Sequence, residues 1–463
     1  MTRPAMRHIL RLFLLFLALQ LAACGGAELP LGATPTPTPA DTPTPTPTPT
    51  PVLPGAYGGL ARILQRGVLV VGFPGDADPL FVSRDAQGTV QGVDVQLADA
   101  IARRWLGRPN TLAWTFEATV ADLLAGRVDL LMGGLPHTRA LEAEIDFSQT
   151  YWQQEETPIA IGLPPSDSLL ADAVNATLQA LVAEGVWDEV VRSAAAPATF
   201  SPQRWPGPLP TLAELAAASQ PPGPSRLSPD RSLTIAYLLT PDFVTVGNDT
   251  AGYLPDLARA LGRRLTGDDA ITLAPLTEPP PLDFATFDLY LGPQQRNWPM
   301  ELQADFSQDF YGDGLALVAR PGSKVEGIAQ LDSRPTALVE TPNSRLLYDQ
   351  AIAAAAVTPR LFAVADADAA IAMLADNKVD AVLIQGYPAA RRLAARVPAA
   401  ILTPGRHGPI QPFAVALPAN DSPLRDAVNL ALQDMRTDDT LAQLHSRYFG
   451  GDPPYPITIW PHR

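Results

Sequence analysis

Short apolar runs alternate with amphipathic stretches along the chain after residue 56. Val68 to Phe73 and Val128 to Met132 are apolar runs of strand length, whereas Val93 to Leu106 and Ala118 to Ala125 repeat apolar residues at helical spacing. This alternation predicts α/β layers, with helices packed on sheets. A Pro-rich stretch, Ser201 to Asp230, interrupts the pattern around one short helical piece and predicts an interdomain linker.

The same pattern occurs twice. The segment GVDVQLADAIARRWLG from Gly92 is echoed by GYLPDLARALGRRLTG from Gly252, and IDFSQTY is echoed by ADFSQDFY. A third echo pairs LPPSDSLLADAVNATLQAL, from Leu163, with LPANDSPLRDAVNLALQDM, from Leu417. Three echoes in the same order indicate a tandem duplication.

One spacing differs between the two copies. Ser148 to Ser168 is 20 positions in the first copy, whereas Ser307 to Ser422 is 115 in the second, so the second copy holds 95 additional residues. That block is about the size of a small α/β lobe. Its own strand and helix runs are Thr336 to Glu340, Ser344 to Ala356, Ala367 to Ala375 and Val379 to Ile384.

The first residues carry a different pattern. Arg3, Arg7 and Arg11 precede an apolar run, Leu12 to Leu21, which is too short to span a bilayer and predicts a secretory signal. The run ends in LAAC, whose Cys24 is the only cysteine of the chain. This tetrapeptide resembles the bacterial lipobox, which implies cleavage before Cys24 and acylation of its thiol. An ordinary signal peptide with a chance cysteine is the alternative.

Composition narrows the choice of partner. From Thr34 to Pro51, Thr and Pro alternate, which predicts an extended tether between the membrane and a globular unit. The formal net charge of −15 argues against nucleic acid and against an anionic lipid surface, because either partner requires a basic face. We therefore expect contact with the membrane through the lipid anchor only, on the extracytoplasmic side.

The repeated motifs resemble a known family. These motifs are a strand followed by G-x-D-V-x-L-A-x-A-I-A, D-F-S-x-x-Y and D-A-V-N-x-A-L. They are similar to the motifs of the family 3 extracellular solute-binding proteins, the polar amino acid binders of ABC importers. The similarity covers Leu60 to Ser193 and Ser232 to Gly450. It implies periplasmic-binding-protein-like type II lobes, with a single-lobe first copy followed by a complete two-lobe second copy. The solute lies between two lobes that close on it by a hinge motion.

The resemblance implies a domain organisation for the whole chain. The expected segments are a lipoprotein signal peptide at 1–23, a Thr/Pro-rich tether at 24–55, a truncated lobe 1 copy at 56–200, a Pro-rich linker at 201–230 and a two-lobe domain at 231–463, with lobe 2 at about 320–410.

The charged contacts that the family makes to an amino acid are not in register here. Family members hold the α-carboxylate with an Arg six residues before the Phe of D-F-S, where the second copy has Met300. Arg296 and Asn297 lie just before it and are candidate substitutes. The aspartate that pairs with the α-ammonium corresponds to Gln385, a neutral amide. Without either charge a zwitterion is poorly paired, so we expect a less charged solute.

Other candidate ligand residues follow from the same resemblance. Thr341 and Ser344 stand at a strand-to-helix turn that matches the family's carboxylate-binding helix start, although a plain helix cap explains them equally well. Phe243 follows the first strand of the second copy, where the family stacks an aromatic ring on the solute, and Tyr387 follows Gln385. A core role is the alternative for these rings.

No enzyme motif stands out in the sequence, and the five His have no metal-ligand spacing, so we expect neither catalysis nor a cofactor or metal. The expected partners are a small polar solute and an ABC permease. The alternative is a sensor or protein-interaction scaffold at the cell surface that transports nothing.

Overall fold

The computed structural model describes residues 58–108, 111–154, 157–194, 202, 205–218, 223–228, 231–245, 247, 249–267, 271–293, 295–403 and 407–450. The predicted signal peptide, the tether and the acylated Cys24 lie outside these residues.

The first copy forms one five-stranded sheet covered by helices. The strands run in the order β4-β1-β5-β9-β6, with β1 parallel to β4 and β5, and β9 antiparallel to β5 and β6. The elements are α1 Gly58–Arg66, β1 Leu69–Phe73, β2 Ser83–Arg84, β3 Val90–Gln91, α2 Val93–Leu106, β4 Leu112–Phe116, α3 Val120–Leu124, β5 Leu130–Leu131, α4 Arg139–Glu142, β6 Asp146–Phe147, β7 Trp152–Gln154, β8 Thr157–Ile159, β9 Gly162–Leu163, α5 Ser168–Ala183 and α6 Val186–Ser193.

The second copy contains two five-stranded sheets, and one short helix, α7, lies in the Pro-rich stretch before it. Their orders are β11-β10-β12-β19-β13 and β16-β15-β17-β14-β18. The elements are α7 Leu212–Ala218, β10 Leu233–Leu238, α8 Tyr253–Thr266, β11 Ile271–Leu276, β12 Leu289–Leu291, α9 Trp298–Glu301, β13 Asp305–Asp313, β14 Leu315–Ala319, β15 Pro335–Val339, α10 Pro342–Ala355, β16 Arg360–Val364, α11 Ala367–Ala375, β17 Ala381–Gln385, α12 Tyr387–Ala395, β18 Ile401–Thr403, β19 Gln411–Leu417, α13 Ser422–Thr437 and α14 Thr440–Phe449.

The chain crosses twice between the two sheets of the second copy. It leaves the first sheet where β13 passes through Gly314 into β14, and it returns between β18 and β19. Each of the three large sheets takes all its strands from one copy. The predicted fold class, a single-lobe copy followed by a two-lobe copy, is confirmed. The residue limits of the domains stay predictions.

The duplication is visible in the backbone at the start of α2 and α8. Gly92 precedes α2 with φ 137°, and Gly252 precedes α8 with φ 135°. A Cβ atom on Gly92 would lie 2.2 Å from the carbonyl oxygen of Phe81, and one on Gly252 would lie 2.6 Å from that of Phe243. Both positions therefore require glycine.

Among the described residues no single helix is long and apolar enough to cross a membrane. One pair of consecutive helices is long and apolar enough when the two are taken together, but the pair is bent by 83°.

The two copies pack against each other through reciprocal hydrogen bonds. Ser168 of the first copy donates to Asp305 of the second at 2.7 Å, and its echo, Ser422, donates to Asp146, the echo of Asp305, at 2.7 Å. Each bond therefore repeats the other across a pseudo-two-fold axis. The Pro-rich stretch contributes Trp205, which packs with the second copy and is 6% exposed.

Candidate functional site

The two lobes of the second copy meet at the crossing strands. Asp313 ends β13, and its carboxylate accepts hydrogen bonds from Gly314 N at 2.9 Å and from Tyr387 N at 3.0 Å. Tyr387 begins α12 in lobe 2, so one carboxylate holds both the crossing and a lobe 2 helix. Burial raises the pKa of Asp313 to about 7, which leaves it partly protonated at neutral pH.

Three amide side chains form a cluster beside this crossing. Gln385, at the end of β17, donates from Nε2 to Gln411 Oε1 at 2.9 Å. Asn343, in the first turn of α10, exchanges two hydrogen bonds with Gln411, of 3.0 and 2.9 Å. Gln411 begins β19, the strand that returns to lobe 1. The amide cluster, Asn343, Gln385 and Gln411, thus joins lobe 2 to the second crossing with no formal charge.

Thr341 and Ser344 form a capping box at the start of α10. Ser344 N donates to Thr341 Oγ1 at 3.0 Å, and Thr341 N donates to Ser344 Oγ at 2.7 Å. The Ser344 hydroxyl is fully buried and donates to Val339 O at 2.8 Å. Thr341 is exposed. The capping role is therefore observed, and contact of either residue with a solute stays a prediction.

Direct contacts also link the two lobes. The Tyr387 ring stacks on His445 of α14, with ring centroids 6.4 Å apart and an interplanar angle of 22°. Arg392 of α12 forms an ion pair with Asp242 of lobe 1. A hinge motion between the two lobes would form or break these contacts.

Phe243 lies within the core of lobe 1. Its side chain is 5% exposed, and its ring contacts those of Tyr253, Tyr311, Phe413 and Phe449 at centroid distances of 5.2 to 6.1 Å. Stacking of Phe243 on a solute would require the ring to leave this cluster, and stays a prediction.

Arg296 and Asn297 lie on the side of lobe 1 that faces the first copy. Arg296 makes two hydrogen bonds to Glu301, of 3.0 and 2.6 Å, and its guanidinium lies over Trp205 at 4.2 Å from the ring centroid. Asn297 caps α9 by accepting from Met300 N at 3.1 Å. The structure does not bring these two residues to the amide cluster.

Sequence reasoning missed Asn343, Gln411 and Asp313 as members of this site. Asn343 lies inside the motif TPNS, whose hydroxyl groups were predicted to bind the solute. Its amide could have been recognised as a further hydrogen-bonding group in the same motif. Gln411 is the polar residue that opens an otherwise apolar strand, QPFAVAL. The sequence alone does not show that the side chains of Asn343 and Gln411 meet, because 68 positions separate the two residues.

Within the described part of the chain, no group of three or more His, Cys, Asp or Glu side chains could hold a metal ion. The amide cluster and the capping box instead offer hydrogen-bond donors and acceptors. Such groups orient a polar ligand by shape and hydrogen bonding.

Comparison with known proteins identifies the sequence pattern. The family model described as bacterial extracellular solute-binding proteins, family 3, matches residues 69–194 and 233–451. A glutamine-binding protein of Geobacillus stearothermophilus is 29% identical over 96 residues, which are 20% of this chain and 37% of that relative's length.

Solved structures that match about half of this chain have low sequence identity to it. The L-cystine solute receptor of Neisseria gonorrhoeae matches with a TM-score of 0.41 and 18% identity, over 48% of this chain and 95% of the receptor chain. The GluR0 ligand-binding core of Nostoc punctiforme matches with a TM-score of 0.34 and 21% identity, over 47% of this chain and 100% of its own.

Proposed function

Because the chain belongs to the bacterial extracellular solute-binding proteins, family 3, we propose that it captures a small polar solute outside the cytoplasmic membrane and delivers it to an ABC permease. The solute would lie between the lobes of the second copy, because among the described residues two lobes joined by two crossings occur in this copy alone. The single lobe of the first copy would serve as a platform against which the second copy packs.

The amide cluster is the observation that supports a solute of low charge. Asn343, Gln385 and Gln411 can donate and accept hydrogen bonds but cannot neutralise a charge. An α-ammonium placed beside Gln385 would find no carboxylate in the amide cluster, and the nearby Asp313 carboxylate already accepts two backbone hydrogen bonds. Desolvation of a poorly paired ammonium costs several kcal/mol. We therefore propose a solute with little net charge at this end, such as an amide, a polyol or a sugar.

Location at the membrane is the second part of the proposal. The apolar run before Cys24 and the Thr/Pro tether after it support a lipid anchor on the extracytoplasmic side. Cys24→Ala is expected to move the protein from the membrane fraction to the soluble fraction after export. Fractionation with immunodetection measures this, and a Cys24→Ala protein that stays with membranes contradicts the anchor.

A thermal-shift screen of the full chain in detergent tests solute capture. Neutral amides, polyols, sugars, dicarboxylates and amino acids are compared, and a ligand at 100 times its Kd adds about 2.7 kcal/mol of stability. The stabilising ligand should lose its effect in Gln385→Ala. The matched control is Gln303→Ala, which truncates an exposed glutamine outside the amide cluster and should keep the effect. If no solute class acts through Gln385, the sensor or scaffold alternative replaces solute capture.

A further inference from the structure

A polar cavity lies between the first copy and lobe 1 of the second copy. Its volume is 190 Å³, and its lining comes from the first copy, from the Pro-rich stretch and from lobe 1 of the second copy. None of the described residues between Leu315 and Thr403 lines it. Pro412, the residue after Gln411, lines the cavity, but Asn343, Gln385 and Gln411 do not, so the cavity is distinct from the amide cluster.

The cavity holds more acid than base. Its described lining contains six carboxylates and two guanidinium groups. Both guanidinium groups already have partners, since Arg296 binds Glu301 and Arg425 binds Asp146 at 2.5 Å. The lining therefore has negative charge that its own cations do not neutralise.

Two of the six carboxylates have no hydrogen-bond partner among the described residues, Asp172 of the first copy and Asp309 of the second. Both are half-buried and line the cavity. Burial raises the pKa of Asp309 to about 7, against the opposing effect of Arg296. Burial and the neighbouring Glu301 and Asp305 carboxylates raise the pKa of Asp172 well above its ordinary range. Each side of the cavity thus offers one free carboxylate.

Unpartnered neutral atoms line the same cavity. Gln308 is 8% exposed, and neither its Oε1 nor its Nε2 has a hydrogen-bond partner within the described structure. The same holds for Thr150 Oγ1 and Gln149 Oε1. Buried polar atoms are rarely left without partners in folded proteins. Three of these four atoms are oxygens that can accept a hydrogen bond, so a donor-rich ligand suits them.

We propose that this cavity binds a small organic dication, an alkyl diamine of about four or five carbons. Its two ammonium groups would bind Asp172 and Asp309 and donate to the oxygens of Gln308, Thr150 and Gln149. A cavity of about 150 Å³ accommodates benzene, so 190 Å³ suits a molecule of roughly six to eight non-hydrogen atoms. The methylene groups would pack on Trp205, which lines the same space.

Calorimetry on the full chain in detergent at pH 8 tests the proposal. 1,4-diaminobutane and 1,5-diaminopentane should bind, and 1-aminobutane, which has one ammonium group, should bind at least about tenfold more weakly. Asp309→Asn keeps the shape of the side chain and removes the charge, and should weaken diamine binding by about tenfold or more. Thr150→Val should also weaken diamine binding, because it removes a hydroxyl group on the first-copy side of the cavity.

Gln385→Ala, at the amide cluster, is the matched control and should leave diamine binding unchanged. Asp309→Asn removes a buried charge that lacks a hydrogen-bond partner in the described structure, so it should fold at least as well as the parent chain. The proposal is overturned if neither diamine binds at 1 mM, if calcium ion binds in their place, or if Asp309→Asn and Thr150→Val both bind diamine as the parent does. The outcome is independent of whether a solute binds at the amide cluster.

Discussion

Single residues in the first copy show how the duplicated lobes have diverged. Asp94, fully buried in the first turn of α2, accepts from Gly133 N at 2.5 Å, Gly134 N at 2.9 Å and the Tyr151 hydroxyl at 2.7 Å. The echoed position in the second copy is Leu254, which packs in the apolar core. Asp94 thus holds the loop after β5 in the first copy, whereas Leu254 offers no side-chain acceptor at the echoed position.

Asp94→Ala should lower the free energy of unfolding by about 3 kcal/mol, because three buried donors lose their acceptor. Urea denaturation at pH 7 measures this. The control is Asp99→Ala on the same helix, where an exposed carboxylate pairs with Arg103 and removal should cost at most about 0.5 kcal/mol. Equal losses in the two variants would show that the Asp94 contacts do not support the loop.

Secondary structure could be predicted well from local pattern. The helices at Val93–Leu106 and Ala367–Ala375 have the predicted limits, because their apolar spacing is bounded by clear turn signals. The strand predicted from Val379 to Ile384 begins two residues later, at Ala381. Boundaries of this kind depend on pairing with neighbouring strands, which a single strand's sequence does not encode.

Contacts between elements were less predictable. Arg296 was identified from its spacing to D-F-S, yet the structure pairs it with Glu301 and places it against Trp205 of the Pro-rich stretch. Arg296 lies four positions before Met300, which occupies the family's arginine position, and its contact with Trp205 depends on how the Pro-rich stretch packs. Ser168 and Ser422 could be recognised as echoes, but not as reciprocal donors across an interface.

At the scale of the whole molecule, the chain contains many buried carboxyl groups whose pKa values are raised. Burial raises the pKa of each to about 6 or about 7, for Asp94, Asp305, Asp309, Asp313 and Asp426. The folded state therefore binds protons more tightly than the unfolded chain, whose carboxyls titrate near pH 4. The contribution of these groups to stability should be fully present below the unfolded pKa near 4 and should be lost as pH rises through the folded values of about 6 to 7.

We expect a higher Tm at pH 5.5 than at pH 8, measured by calorimetry on the full chain. Two histidines oppose the trend, because burial lowers the pKa of His137 and His407 and favours their neutral forms. The five carboxyl groups with raised pKa values contribute more to the pH dependence of stability over this range than the two histidines do. Asp309→Asn should reduce the pH dependence, and a Tm that rises from pH 5.5 to pH 8 would contradict the predicted sign.

The second copy is proposed to hold a solute of low charge because a neutral amide, Gln385, replaces an anion. Calorimetry with glutamine, arginine and glutamate, on the full chain and on Gln385→Asp, tests this proposal. The parent chain should show no micromolar binding of the three, and Gln385→Asp should improve binding of at least one by about tenfold, because an ammonium gains its anion. Micromolar binding by the parent chain, unchanged or weakened in Gln385→Asp, would contradict the account.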